Sequence, residues 1–158
     1  MLESLDHIDR QILDILQEDG GITNVELARR VGLAPATTLD RVKKLRQRGV
    51  IRGYVALVDP SKVNQGTIAF VQVTLNAHGA DFVQAFREQV QTLPEVLECY
   101  HISGESDYLL KVVAPNIQQY EDFLLHKLAP IPNIGKIHTS FVLSTVKHAT
   151  KIPVQMPD

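Results

Sequence analysis

The sequence has little cysteine and no long apolar run, and each shortage excludes a class of protein. Its 158 residues include one cysteine, Cys99, which excludes an intramolecular disulfide and a thiolate zinc cluster and fits a reducing compartment. The longest apolar run, Tyr54 to Val58, is too short for a membrane span of roughly 20 residues. The start, Met1-Leu2-Glu3, lacks the basic and apolar regions of a signal peptide. We therefore expect a cytoplasmic protein with no membrane partner.

Patterns typical of enzymes and metal proteins are also missing. The sequence contains no nucleophile elbow, phosphate loop or dinucleotide-binding glycine pattern. The histidines show neither the H-x-x-x-H nor the H-x-H spacing of a metal site; they are His7, His78, His101, His126, His138 and His148. We therefore expect no metal, no cofactor and no catalytic residue, and we predict that the chain is not an enzyme.

Positive charge is concentrated in one segment. The formal net charge is −2, but residues 29–52 contain eight basic side chains and one acidic side chain, Asp40, which gives this segment a charge of +7. After Val63 the balance is −3. A basic segment in an otherwise acidic chain is typical of a surface that contacts nucleic-acid phosphates. A solvated helix face is an equally good explanation of the charge alone.

The first 50 residues predict three helices. Apolar side chains recur at helical spacing in the segments 6–18, 24–31 and 35–48. The segment Thr23-Asn24-Val25-Glu26 has the pattern of a capping box, and Gly32 is suited to a left-handed helix end. A short helix, a glycine turn and a third helix in this order predict a helix-turn-helix, whose last helix enters the major groove of DNA.

One side of the third helix is expected to contact DNA. If Leu39, Val42 and Leu45 face the core, hydroxyl and basic side chains line the opposite side, where they match base edges and phosphates. Arg41 is then expected to contact a base edge, and Lys44 a phosphate. The complete set of expected DNA-binding residues is Asn24, Arg30, Pro35, Thr37, Thr38, Arg41, Lys44 and Arg48.

From Ile51 onward the pattern changes from helical to alternating. Residues 54–58 predict a strand that ends at Asp59-Pro60. The later elements follow the order β-α-β-β-α-β, which predicts an antiparallel, four-stranded, ferredoxin-like sheet with two helices on one face. The predicted fold class is α+β, with a helix-turn-helix domain over 1–50, a hinge strand and linker over 51–62 and a ferredoxin-like domain over 63–158.

The predicted sheet needs a partner. Its strands are Thr67 to Leu75, Val96 to Ile102, Tyr108 to Val113 and Lys136 to Val146, and its helices are Asp81 to Gln91 and Asn116 to Lys127. Apolar side chains occupy both faces of the first strand, with Ala69, Val71 and Val73 alternating with Ile68 and Phe70. Because helices cover one face only, we expect the other face to bind a second copy of the chain.

Several segments occur in a fixed order along the chain. They are Leu5-Asp6-His7-Ile8-Asp9-Arg10-Gln11-Ile12-Leu13, Asn24-Val25-Glu26-Leu27-Ala28-Arg29-Arg30-Val31-Gly32-Leu33, Arg41-Val42-Lys43-Lys44-Leu45, Gly49-Val50-Ile51 and Ser103-Gly104-Glu105-Ser106-Asp107-Tyr108-Leu109-Leu110-Lys111. Together they resemble the leucine-responsive (Lrp/AsnC) family of transcription regulators. The resemblance implies a winged-helix-type N-terminal domain, a β-strand hinge and a ferredoxin-like domain that dimerises, assembles into octamers and binds an amino acid. Ala34 departs from the family, in which a serine often caps the recognition helix.

The segment Ser103 to Asp107 has the composition of a hairpin loop, and it also has the chemistry of a ligand turn. Backbone amides near Gly104 can approach a carboxylate because glycine has no side chain, and Asp107 can accept an ammonium group. The family resemblance implies that an amino-acid effector binds near this turn, between subunits. The expected effector-binding residues are His101, Ser103, Gly104, Asp107 and Tyr108.

The leading interpretation is a DNA-binding transcription regulator whose assembly and operator affinity respond to a small amino acid. Two alternatives remain open. Proteins of this architecture also resemble tetrapyrrole-modifying decarboxylases, in which case His101 or His138 would be catalytic and a porphyrin would change its absorption on binding. A stand-alone amino-acid sensor would bind no DNA duplex.

Overall fold

A computed structural model describes residues 5–154. The chain forms two compact units: the helical unit comprises the residues up to Leu57 and those from Lys147 onward, and the sheet unit comprises Val58–Val146. The assignment of residues 147–154 differs from the predicted domain limits, which place the whole segment 63–158 in one domain. Within residues 5–154, no helix is long and apolar enough to cross a membrane.

The helical unit contains the three predicted helices, α1 (His7–Glu18), α2 (Asn24–Val31) and α3 (Pro35–Gln47). The Asp6 side chain caps α1 by accepting the backbone N–H of Asp9. Thr23 caps α2 by accepting the N–H of Glu26, and Gly32 ends that helix in the left-handed conformation with φ 72°. The second hydrogen bond of the predicted capping box, from the backbone N–H of Thr23 to the Glu26 carboxylate, is absent. This carboxylate binds two arginines instead.

The segment after Lys147 packs against α1. The Gln17 side chain donates to the backbone carbonyl of Ile152 (3.0 Å) and accepts from its N–H (2.7 Å). Lys151 pairs with Glu18 at 2.5 Å, and Val154 packs against the core formed by Ile12, Leu13, Leu27, Val31 and Leu45. The contacts of Gln17 and Lys151 join residues more than 130 positions apart in the sequence, and no local pattern signals them.

The predicted strand over residues 54–58 is wrong for the isolated chain. These residues are in no regular element, and Val55 is 85% exposed. Their apolar composition favours a strand, but no other segment of the described chain pairs with them, and a strand requires such a ladder. The chain then forms a single 3₁₀ turn at Pro60–Val63 before the sheet begins.

The sheet unit has the predicted order of elements. The strands are β1 (Thr67–Leu75), β2 (Val96–His101), β3 (Tyr108–Ala114) and β4 (Ile134–Phe141), and the helices are α4 (Ala80–Gln91) and α5 (Ile117–Phe123), which continues as a π-helical turn at Leu124–Leu128. The strands are antiparallel in the order β2-β3-β1-β4, which confirms the four-stranded sheet. Strand β4 starts and ends earlier than predicted.

The two faces of the sheet differ. On one face, Val71, Val73, Leu110 and Val112 are fully buried in a core that includes Phe86 of α4. On the other face, Ile68 and Phe70 of β1 lie beside Val113 and Lys111 of β3. We call this second face the open face. Phe70 is 39% exposed there, so the helices cover one side of the sheet only.

Candidate DNA-binding surface and effector site

Helix α3 buries a different set of side chains from the predicted one. Thr38 is completely buried with Leu45, and Arg41 and Val42 are half-buried beside them. Leu39, predicted to face the core, is 43% exposed. The expected position of Thr38 on the exposed side is therefore wrong. Burial of its hydroxyl is tolerated because the Oγ1 atom donates a hydrogen bond to the carbonyl of Ala34 (3.1 Å).

Arg41 binds the start of α1. One guanidinium nitrogen, Nη1, contacts Asp6 Oδ2 at 2.7 Å and Asp9 Oδ1 at 2.8 Å. The hydrogen bond from the backbone N–H of Asp9, followed by the Arg41 contact, lowers the pKa of Asp6. Both carboxylates raise the pKa of Arg41. The expected base-contacting side chain is thus engaged with α1, and its position on the exposed stripe is wrong.

The other expected DNA-binding residues lie around α3. Thr37, Lys44 and Arg48 are exposed, and Lys44 forms an ion pair with Asp40 at 2.9 Å. The Asn24 side chain donates to the carbonyl of Pro35 (2.8 Å), so it fixes the start of α3 against α2.

The arginines of α2 form their own cluster. Arg29 and, next, Arg30 lower the pKa of Glu26 to about 2 through hydrogen bonds to its carboxylate. Arg30 thus has an acidic partner while its side chain is still exposed.

The most outward side of α3 includes residues that the sequence analysis missed. Successive residues of a helix are 100° apart, so the side opposite Thr38 and Leu45 can be identified. It is formed by four exposed residues, Ala36, Asp40, Lys43 and Gln47. These residues could have been predicted from the sequence, because the outward side of a helix lies opposite its buried side. Placing Leu39 in the core rotated the predicted face away from these residues.

The turn between β2 and β3 requires its glycine. Gly104 has φ 122°, a conformation that residues with a Cβ atom rarely adopt. Asp107 closes the turn: its Oδ2 atom accepts the N–H of Leu75 (2.7 Å), and its Oδ1 atom contacts His78 Nε2 (2.9 Å). The N–H of Leu75, more than the contact with His78, lowers the pKa of Asp107. Asp107 therefore ties the turn to the end of β1.

The loop before β4 lies at the same end of the sheet as the β2–β3 turn and the end of β1. Asn133, in the left-handed conformation with φ 73°, accepts the N–H of Ala77 (2.9 Å) and donates to its carbonyl (2.7 Å). Three loops thus meet there: 76–78 after β1, 103–107 between β2 and β3, and the loop before β4 that ends at Asn133. Only the 103–107 loop was predicted from the sequence. His78 and Asn133 were missed because their partners are distant in the sequence.

His101 and Tyr108 lie apart from the turn, on the helix-covered face. The Tyr108 ring packs on Phe86 with centroids 4.6 Å apart and on His101 at 5.2 Å. Arg87 donates to the Tyr108 hydroxyl at 3.2 Å. Arg87, His101 and Tyr108 line a cavity of about 470 Å³ between α4 and β2. The expected effector residues are therefore divided between the turn (Ser103, Gly104, Asp107) and this cavity (His101, Tyr108).

The geometry of both units matches known proteins. Residues 68–152 match the Lrp/AsnC ligand binding domain, and residues 5–52 match the winged helix-turn-helix DNA-binding domain. The chain belongs to the Lrp/AsnC family. As in that family of transcription regulators, a helix-turn-helix DNA-binding domain is joined to an amino-acid-binding α+β domain.

Several regulators named in other organisms are similar to this chain over nearly its full length. The leucine-responsive regulatory proteins of Escherichia coli K12 and Klebsiella pneumoniae are each 40% identical over 153 residues, which cover 97% of this chain and 93% of theirs. A transcriptional regulator of Neisseria meningitidis, solved as a complex with L-methionine, is 39% identical and superposes with a TM-score of 0.90 over 95% of this chain and 97% of its own. An AsnC family regulator of Agrobacterium tumefaciens is 40% identical, with a TM-score of 0.89 over 94% and 97% of the two chains.

Replacement of Arg41 by alanine tests its contact with α1. We expect Arg41→Ala to lower the free energy of unfolding by about 1 to 2 kcal/mol, because the nearly buried Asp9 carboxylate loses its cation. Urea unfolding of the full chain, followed by circular dichroism, measures this change. Lys44→Ala is the matched control: its ion pair is exposed, and we expect a change within about 0.5 kcal/mol.

The stability difference between wild type and Arg41→Ala is also expected to depend on pH. Since the pKa of Asp6 is lowered in the folded chain, its stabilisation is present above the ordinary value of 3.8 and disappears as the pH falls through the lower folded-state pKa. Arg41→Ala should lose less stability than the wild type over this acidic range. Equal stability of wild type and Arg41→Ala at neutral pH would contradict a structural role of the contact.

Replacement of Gly104 tests the turn. Alanine there must adopt φ 122°, and we expect a loss of about 1 to 3 kcal/mol in the free energy of unfolding together with weaker amino-acid binding in calorimetry. Gly66→Ala is the control, because its φ is ordinary and the nearest atom to the added Cβ is 3.9 Å away. The two variants behaving alike would show that the turn conformation does not matter.

Proposed function

We propose that this regulator binds its operator through α3 and responds to a small amino acid bound at the three-loop end of the sheet. The observation that carries the first half is the exposure of Lys43, Lys44 and Arg46 on α3, in the segment 29–52 with its charge of +7. Such a surface attracts the phosphates of a duplex and leads the helix into the major groove. We infer that the protein acts in the cytoplasm, where operator DNA is found.

The amino-acid site is supported by the chemistry of the loops. A zwitterion needs N–H donors for its carboxylate and an acceptor for its ammonium group. Gly104 opens the backbone of one loop, and Asp107 stands beside it with a carboxylate that is 21% exposed. Asp107 already accepts two contacts, so an ammonium group would share a carboxylate fixed in position by Leu75 and His78. The Neisseria meningitidis relative binds L-methionine, which favours an apolar amino acid as the effector here.

A second copy of the chain is proposed to cover the open face of the sheet. Phe70 would otherwise leave apolar surface in water, and Ile68 and Leu109 on the same face are only half-buried. A closed two-fold dimer presents two copies of α3 to half-sites about 34 Å apart or a multiple of that distance. We extend the proposal to further assembly of such dimers into an octamer, which the resemblance to the Lrp/AsnC family implies.

The two alternatives receive less support. A tetrapyrrole decarboxylase has no evident need for the exposed basic side chains of α3. Its two candidate histidines also lie on opposite faces of the sheet: His101 stacks on Tyr108, whereas His138 is opposite Gln72. A sensor without DNA binding would have no use for the exposed Lys43 and Lys44. We therefore propose that the chain is a regulator and not an enzyme.

DNA binding is tested with the duplex upstream of the protein's own gene. We expect binding that changes several-fold with one amino acid from a panel of twenty, since coupling energies are about 1 to 3 kcal/mol. Replacing both Lys43 and Lys44 by alanine should weaken binding to all sequences and reduce the slope of log K against log salt by about 0.9 per lost phosphate contact. Fluorescence anisotropy at several salt concentrations measures both effects.

Matched controls for this experiment are Lys62→Ala and Lys136→Ala, which remove exposed lysines from the sheet unit. Both should keep the wild-type affinity and salt slope. Unchanged binding by the Lys43, Lys44 double variant would exclude α3 as the phosphate-contacting helix. Wild-type protein that binds no duplex would contradict the proposed DNA-binding function and leave the two alternatives.

The dimer is tested by placing a charge on the open face. Light scattering of the wild type should report at least twice the chain mass of 17.6 kDa. Phe70→Lys should reduce this mass, because the new ammonium group lies opposite Lys111 and would be buried in the interface. Phe82→Lys, on exposed surface of α4, should not. A wild-type particle of one chain mass would refute the proposed interface.

A further inference from the structure

An apolar side chain is exposed on the helix that we propose enters the major groove. Helix α3 has three large aliphatic residues, and two of them, Val42 and Leu45, belong to the core of the helical unit. The third, Leu39, is 43% exposed and is not part of that core. Leu39 is therefore available to contact a molecule outside the helical unit.

Charge is unevenly distributed along α3. The first five residues, 35–39, carry no charge, whereas every basic residue of the helix lies in the segment 41–46. The N-terminal residues of a recognition helix contact base edges, and basic side chains further along contact phosphates. The uncharged half of α3 is thus the half expected to touch bases.

Few groups in this half can read a base. Thr38 is buried and its hydroxyl is bonded to Ala34, so it contributes nothing to the exposed side. The exposed side chains after Pro35 are those of Ala36, Thr37 and Leu39. Thr37 alone offers a hydrogen bond, and the other two offer only carbon atoms. Asp40, the next residue, is held by Lys44.

We propose that Leu39 contacts the C5-methyl group of a thymine in the major groove and so selects an A·T pair at that position. The methyl group of thymine is the apolar feature that distinguishes this base edge from those of the other three bases. The small side chain of Ala36, one turn earlier, lets the helix approach the bases closely. Operator preference at this position then comes from apolar contact and not from a hydrogen bond. The inference rests on the proposed DNA-binding function.

Replacement of thymine by uracil removes this methyl group and leaves base pairing intact. In the bound upstream duplex, each thymine is replaced in turn and affinity is measured by fluorescence anisotropy. For wild-type protein we expect at least one position in each half-site where uracil weakens binding by about fourfold, the value for burial of one methyl-sized group. Leu39→Ala should bind the thymine and uracil duplexes equally at that position.

Val25→Ala is the control variant, since Val25 is an apolar residue of α2 that is 68% exposed. It should keep the wild-type preference for thymine. Leu39→Ala should also keep the wild-type urea midpoint, because Leu39 lies outside the core. This measurement separates a lost contact from a lost fold.

The outcomes distinguish the inference from the function on which it rests. If wild type binds the duplex but is indifferent to every uracil, Leu39 reads no methyl group. If Leu39→Ala keeps the wild-type uracil effect, another residue reads the methyl group; either result overturns the inference and leaves DNA binding established. If wild-type protein binds no duplex, the proposed DNA-binding function fails and the inference fails with it.

Discussion

The sheet is covered by helices on one side only, and the rest of the molecule depends on this constraint. Four antiparallel strands bury Val71, Val73 and Leu110 under α4 and α5 and leave Ile68 and Phe70 on the open face. In the proposed dimer, a second copy of the chain covers this face by two-fold symmetry. Such a dimer would bring two helical units to one duplex, which a single chain cannot do.

Within each unit, polar contacts between distant residues fix the functional side chains. Arg41 ties α3 to the start of α1, and Asp107 ties the β2–β3 turn to the end of β1. The last described residues bind α1 through Gln17 and Lys151, so the chain passes from one unit to the other twice, once after Leu57 and once after Val146. We expect assembly and these two crossings to carry an effector signal, since the proposed DNA and amino-acid sites are in different units.

Periodicity and end signals were enough to predict the helices, the four strands and their order. Gly32 ends α2 as predicted, and strand β1 has its predicted limits. The buried side of α3 was harder to predict, because it contains Thr38 and lies next to Arg41. Both are polar residues whose partners, Ala34 and the Asp6–Asp9 pair, are invisible to hydrophobic periodicity. The apolar segment 54–58 predicted a strand because composition cannot show whether a pairing partner exists.

The most direct test of the account is whether the two sites are coupled in both directions. Calorimetry can measure the dissociation constant of the effector amino acid for free protein and for protein saturated with operator duplex. We expect the ratio of these constants to equal the ratio of operator affinities measured with and without the amino acid, because binding free energies are reciprocal. Identical amino-acid affinity with and without DNA, for an amino acid that binds, would contradict the claim that this chain transmits an effector signal to its operator.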